Sequence, residues 1–171
     1  MSLILPGLIV GGFHESFDRD LLTTHNVTHI LNVATECNVT ERVGLIYAKV
    51  DMPDDCPSTD ISVAFSKCMD FIIAAHQKKS CVFVHCLEGV SRSVCVTLCY
   101  MVQHVGWKFE HALMHIRSRR PHVDPFPKYI AQTRNYLVQK REESNRSLII
   151  TIDHDNPVEQ NALSQDATKT I

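Results

Sequence analysis

The 171-residue sequence has no Cys-x-x-C pair, no long apolar run and no surplus of positive charge. Each absence excludes a class of protein. The cysteines are Cys37, Cys56, Cys68, Cys81, Cys86, Cys95 and Cys99, an odd number without zinc-ligand spacing, so neither a disulfide framework nor a structural zinc site is expected. Several lie in apolar stretches, where a free thiol behaves as a small hydrophobe, and the expected compartment is the reducing cytoplasm or nucleus. A formal net charge of -2 argues against a nucleic-acid partner bound by neutralising many phosphates. No stretch approaches the roughly 18 apolar residues of a membrane span, so no membrane partner is expected. Leu3-Ile4-Leu5 is too short, and lacks the basic flank, for a secretory signal. No internal repeat is present, which leaves out solenoids and propellers.

What remains is an ordinary globular composition, 44% hydrophobic and 21% charged, sized for one domain with a tail. Short apolar runs at Leu8–Val10, Thr28–Val33, Leu45–Val50 and Cys81–His85 read as strands. Between the last two, Ile61, Phe65, Cys68, Ile72 and Ala75 recur at helical spacing, predicting an amphipathic helix over 60–77 capped by Ser58, Thr59 or Asp60. A shorter helix is expected at Arg19–Thr24. Ser93–Val105 is apolar almost all round, the pattern of a buried central helix, with Gly106 suited to its end. Lys108–Ser118 and Lys128–Gln139 read as two more helices, separated by Pro121, Pro125 and Pro127. Strands alternating with helices give an α/β fold with a central mixed, largely parallel sheet flanked by helices. From Arg141 the composition turns polar, so the division expected is a domain over 1–140 and a tail over 141–171. Within the tail, the β-branched Leu148-Ile149-Ile150-Thr151-Ile152 is expected to dock in extended form, along a sheet edge or across a homodimer.

The chemistry concentrates in Val84-His85-Cys86-Leu87-Glu88-Gly89-Val90-Ser91-Arg92-Ser93, which leaves a buried strand, turns, and enters the buried helix. A strand–loop–helix of this kind gathers backbone N–H groups and a helix N-terminus around one point, an anion site. Cys86 at its start sits where a thiolate is stabilised, and Gly89 permits the turn. Arg92 contributes a planar fork of donors matched to phosphate oxygens. The loop residues Leu87, Glu88, Gly89, Val90, Ser91 and Arg92 are the candidate substrate-binding set. A protonated carboxyl is needed for the leaving oxygen, and Asp51, Asp54 and Asp55 after the third strand are candidates.

His-Cys-x-x-Gly-x-Ser-Arg-Ser, a Cys-x5-Arg loop, resembles that of the protein tyrosine phosphatase superfamily in its dual-specificity form. The likeness runs over about residues 4–140 and includes Leu5-Pro6-Gly7-Leu8, Thr28-His29-Ile30-Leu31-Asn32-Val33-Ala34 and Arg119-Arg120-Pro121. The resemblance implies a small, atypical phosphatase acting on phosphotyrosine, phosphoserine and phosphothreonine in a phosphoprotein, through a phosphocysteine at Cys86 and without metal or cofactor. Because Asp60-Ile61-Ser62 matches the segment that follows the family's general acid, it places that acid on Asp55, with Asp54 as fallback. It further implies that Ser93 assists departure of the Cys86 sulfur and that His85 holds the thiolate and loop. The family usually carries Pro-Asn, the Asn steadying the loop, where this chain has Pro125-Phe126. Two alternatives stand beside this reading: a phosphoinositide or RNA phosphatase on the same fold, and a phospho-binding pseudoenzyme. Arg117, Arg119 and Arg120 are either a solvated helix end or a second phosphate site. Cys56 or Cys81 is the expected resolving partner should Cys86 be oxidised.

Overall fold

The computed structural model describes residues 1–38, 42–54 and 59–154, with side chains up to 147 in the last helix. Five strands form one sheet in the order β1-β2-β5-β3-β4: β1 Ser2–Leu5, β2 Leu8–Gly12, β3 Val27–Asn32, β4 Ile46–Lys49 and β5 Cys81–Cys86. β2, β5, β3 and β4 run parallel, and β1 pairs antiparallel with β2. The sheet is therefore mixed and largely parallel. β1 escaped the sequence reading because four residues carry too little periodicity. What folds it back is the Pro6-Gly7 turn, where Gly7 takes φ +78°, a conformation that favours glycine.

The helices are α1 Arg19–Thr24, α2 Phe65–Gln77, α3 Arg92–Gln103, α4 Phe109–Arg119 and α5 Pro127–His154, with 3-10 turns at His14–Phe17 and Ile61–Ala64. The helix predicted over 60–77 is thus a 3-10 turn running into α2. Of the three candidate caps, Asp60 serves, its Oδ1 accepting from Ser62 N at 2.9 Å. Strand residues alternate between two unequal layers, as the two-residue side-chain period requires. Leu8, Leu31, Val82 and Val84 face a thick layer with α2, α3 and the start of α5, and Val10 meets α3 and α4. Ile9, Ile30 and Phe83 face the opposite side, where Leu22 of α1 is the helical cover. α3 is buried almost all round, as its sequence predicts.

Two units are distinguishable, Met1–Leu137 and Val138–Ile171. Residues 141–154 belong to helix α5, which corrects the expectation that Leu148–Ile152 is extended. Helix elongation is far cheaper than nucleation, so β-branched residues continue a helix begun at Pro127. Lys140–Glu143 and Glu142–Arg146 pair along it, while Ser144 and Ser147 hydroxyls donate to carbonyls one turn back.

Asp60→Ala should lower unfolding free energy by about 1 kcal/mol through loss of the cap, measured by denaturant titration. An unchanged midpoint would show that the Asp60 side chain does not stabilise this entry into α2.

Candidate active site

The parallel strands bring their carboxyl ends to one edge, with Gly12 beside Cys86 and Asn32 beside both His85 and Lys49 in register. Open α/β sheets bind ligands beyond this edge, where connections diverge to opposite sides. The loops leaving β3, β4 and β5 carry Glu36, Asp54 and Cys86 to that place.

The loop after Cys86 has its carbonyl oxygens occupied one after another. Cys86 O accepts from His85 Nδ1 (3.2 Å), Leu87 O from Phe13 N (2.8 Å) and Glu88 O from Arg120 Nη2 (3.0 Å). Gly89 O accepts from Arg120 Nε (2.8 Å), Val90 O from Asp124 N (3.2 Å) and Ser91 O from Cys95 N (3.0 Å). With the carbonyls drawn outward, amides are free to face the centre, and those of Gly89 and Ser93 reach the Cys86 sulfur. Gly89 has φ +71°, and a Cβ there would meet Gly11 backbone at 2.3 Å, so both the turn and the fit exclude a side chain. Gly12 lies close beneath Glu88 as well, its virtual Cβ 3.0 Å from the Glu88 carbonyl.

Cys86 Sγ lies 3.3 Å from Ser93 Oγ and is almost fully buried. Burial pushes the thiol pKa up. Hydrogen bonds from the Ser93 hydroxyl and amide, the Arg92 charge and the Gly89 amide outweigh it, so the net value is lowered. His85 is fully buried against Phe83, ring centroids 5.5 Å apart, and burial lowers its pKa to about 4. Since a carbonyl only accepts, His85 is neutral with its proton on Nδ1. It pins the Cys86 backbone rather than pairing ionically with the sulfur.

Arg92 is 1% exposed at the start of α3. Its Nη1 and Nη2 donate to the two oxygens of Glu36 at 2.8 and 2.5 Å, a bidentate pair. Nη1 also donates to Met52 O at 2.8 Å, and Nη2 to Asp54 Oδ2 at 3.0 Å. The Nε–H is buried with no acceptor among the described residues. The hydrogen bond with Arg92 lowers the Glu36 pKa more than desolvation raises it.

The structure thus brings Cys86, His85, Ser93, Arg92 and the loop 87–92 together at this edge. Asp55 and Cys56 lie outside the described residues. Asp54, the fallback acid, is seated beside Arg92. Cys81 cannot resolve an oxidised Cys86 across this strand: the two are five residues apart on β5, about 16 Å by strand rise. Arg120 is neither a solvated helix end nor a second phosphate site. It is 5% exposed and brackets the outward carbonyls of the loop, whereas Arg117 and Arg119 are exposed. Phe126, which stands where the family usually carries Asn, donates its backbone N–H to Ser91 Oγ of the loop at 3.1 Å. The sequence reading missed Glu36, Gly11 and Gly12. A carboxylate just beyond a strand end and a Gly-Gly pair at another were the available signals.

Comparison with known proteins decides the family. The family model "Dual specificity phosphatase, catalytic domain" matches residues 8–139. The chain belongs to the dual specificity phosphatase family. It is 34% identical over 136 residues to dual specificity protein phosphatase 1B of Arabidopsis thaliana, covering 80% of this chain and 81% of that protein. Two other curated relatives of equal identity are spanned over 66% and 64% of their lengths. The crystal structure of the human tyrosine phosphatase-like serine/threonine/tyrosine-interacting protein superposes with a TM-score of 0.74 at 26% identity, covering 82% of this chain and 97% of that one. PTPMT1, solved in complex with PI(5)P, shares the fold at a TM-score of 0.71 and 20% identity, over 82% and 96% of the two chains. The chain is a phosphatase of the small atypical kind, with protein tyrosine and serine/threonine phosphatase activity.

Alkylation of Cys86 by iodoacetate should titrate with a midpoint below the ordinary thiol value of about 8.5, rising with pH as thiolate forms. Ser93→Ala should move that midpoint upward; no movement would remove Ser93 as a donor to the sulfur. Glu36→Gln should raise KM for an aryl phosphate about tenfold, because the Arg92 fork loses its charged bidentate brace. An unaltered KM would mean that Met52 O and Asp54 orient Arg92 without it. At low pH the wild-type enzyme should approach Glu36→Gln. Because the Glu36 pKa is depressed, the charged brace is fully present above the ordinary carboxylate range, persists through that range, and is lost only as pH falls through the lowered value.

Proposed function

We propose that this phosphatase dephosphorylates Tyr, Ser and Thr side chains of a phosphoprotein through a phosphocysteine on Cys86. The observation that carries the reading is the Cys86 thiol, lowered in pKa at the centre of a loop whose carbonyls are all held away from it. In the first step the thiolate attacks phosphorus in line and the ester P–O bond breaks. The leaving oxygen takes the electron pair and a proton from Asp55. Inward amides and the free Arg92 Nε–H stabilise charge on the equatorial oxygens. In the second step water attacks phosphorus, giving its proton to Asp55, and the S–P bond breaks. Ser93 Oγ–H, already 3.3 Å from the sulfur, stabilises the departing thiolate. No group in this sequence needs a metal or cofactor.

Asp55 is assigned by its place in the family pattern and by elimination, since Asp54 is committed to Arg92. Glu36 and Asp54 stand against Arg92 and Glu88 belongs to the loop itself, and their charge supports a singly phosphorylated side chain over a polyanionic lipid headgroup or RNA. A pseudoenzyme is disfavoured because nucleophile, clamp and acid candidates are all present. The reducing cytoplasm or nucleus is the proposed setting, as free thiols require.

Cys86→Ser should abolish turnover while the protein stays folded, and Arg92→Lys should be severely impaired because a point charge cannot reproduce the fork. Retained turnover in folded Cys86→Ser would eliminate the phosphocysteine. Asp55→Asn should lower kcat on the order of 100- to 10,000-fold for phosphopeptides and less for an activated aryl phosphate. A larger leaving-group-dependent loss in Asp54→Asn would move the acid to Asp54. Faster release from inositol phosphates than from phosphopeptides would replace the protein substrate with a headgroup.

A further inference from the structure

The face of the sheet opposite α2–α5 has thin cover, and a groove opens there. A cavity of about 690 Å³ lies between α1 and the segment preceding β4, lined by Arg19, Leu22, Thr23, Val27 and residues 42–45. Its volume is that of sites taking a few side chains. The floor is apolar, with Leu22 and Val27 buried, and the lip carries Val43 fully exposed. Among the described residues its charge has one sign: Arg19 and Arg42 both line it and no described carboxylate does. Arg42 is held from one side only: Nη2 donates to Phe17 O at 3.0 Å and the guanidinium lies 5.6 Å from the Phe17 ring centroid. Its Nη1 is buried without an acceptor among the described residues, a donor whose desolvation they leave uncompensated.

We propose that this groove docks a short acidic and apolar peptide segment of the phosphoprotein substrate, outside the catalytic loop. An Asp or Glu of that segment supplies the acceptor for Arg42 Nη1, with Arg19 as the second positive contact. An apolar side chain of the segment covers Leu22, Val27 and Leu45. The concavity favours an inserted side chain over a lipid surface, which calls for a protruding basic and apolar face. The groove connects with the catalytic loop through contacts. Arg42 rests on Phe17, Phe17 packs edge-on against Phe13 at 4.8 Å, and Phe13 N donates to Leu87 O. Val27 pairs with Cys81, at the end of β5 away from Cys86, so a segment docked there touches none of the reacting groups.

This inference rests on the phosphoprotein reading for the identity of its occupant, but its test does not depend on catalysis. The full chain is titrated, by fluorescence polarisation, with labelled short peptides alternating Glu and Leu, Lys and Leu, or containing Glu alone, and with phosphatidylserine vesicles. The Glu–Leu peptide should bind, weaken with salt, and lose about fivefold in affinity in Arg19→Glu and more in Arg42→Glu. Aryl phosphate hydrolysis should stay unchanged in Arg19→Glu, a variant at an exposed position on α1 that keeps the fold intact. A phosphopeptide extended by the Glu–Leu segment should show a lower KM than the unextended one, and Arg19→Glu should erase the difference. Equal binding of all peptides, or binding indifferent to both arginines, overturns the proposal. Arginine-dependent binding of vesicles without binding of the peptide replaces it with a membrane contact. Peptide binding without any phosphopeptide hydrolysis would leave the groove standing and remove the substrate reading; normal hydrolysis without peptide binding would do the reverse.

Discussion

The arrangement around Cys86 depends on where the loop's carbonyl groups go. A peptide loop presents dipoles of both signs, and an anion is stabilised only if the oxygens are turned away and kept there. Here partners from four parts of the chain hold them: the His85 ring, the backbone beyond β2, the α4–α5 connection with Arg120, and the first turn of α3. Each bond is modest in net energy, but leaving a buried carbonyl without one costs about 1–3 kcal/mol. The loop's polarity is therefore fixed by the whole domain. The lowered Cys86 pKa follows, since burial by itself would raise it.

The same logic explains Arg92. A buried guanidinium needs its donors satisfied, and Glu36, Met52 O and Asp54 satisfy the two terminal nitrogens while leaving Nε–H. Two carboxylates beside the clamp have a double effect. They keep Arg92 charged and oriented, and they make the approach acidic, which weakens attraction for a crowded polyanion. The orientation of the clamp and the negative charge around it thus come from one set of side chains, at the loops following β3 and β4.

The two faces of the sheet divide the work. Four helices cover one side and bury α3, whose N-terminus must be held firmly against the catalytic loop. The other side carries α1 and leaves the Arg19–Arg42 groove accessible. Burial is concentrated around α3 and the loop before it, and open surface lies at the groove proposed to take a substrate segment.

Much of this was legible in the sequence because it is local. Two-residue and helical periodicities mark β2, β3, β4, β5, helices α1 to α4 and the start of α5 to within a few residues, and the Cys-to-Arg spacing with Gly89 points to the anion loop and its candidate nucleophile. Those signals reside in neighbouring residues and survive without knowledge of the fold. β1 was illegible, being too short for a period, and so was the continuation of α5, since composition suggests a tail where cheap elongation extends a helix. Only tertiary structure paired Glu36 with Arg92 across 56 positions and brought Arg120 to Gly89 across 31. It also set Gly11 beneath Gly89 and brought the Phe126 amide to the Ser91 hydroxyl. These are contacts between chain-distant groups, chosen by which loops the parallel sheet delivers to one edge. A list of residues holds the parts of such a site, but the sheet order decides which of them meet.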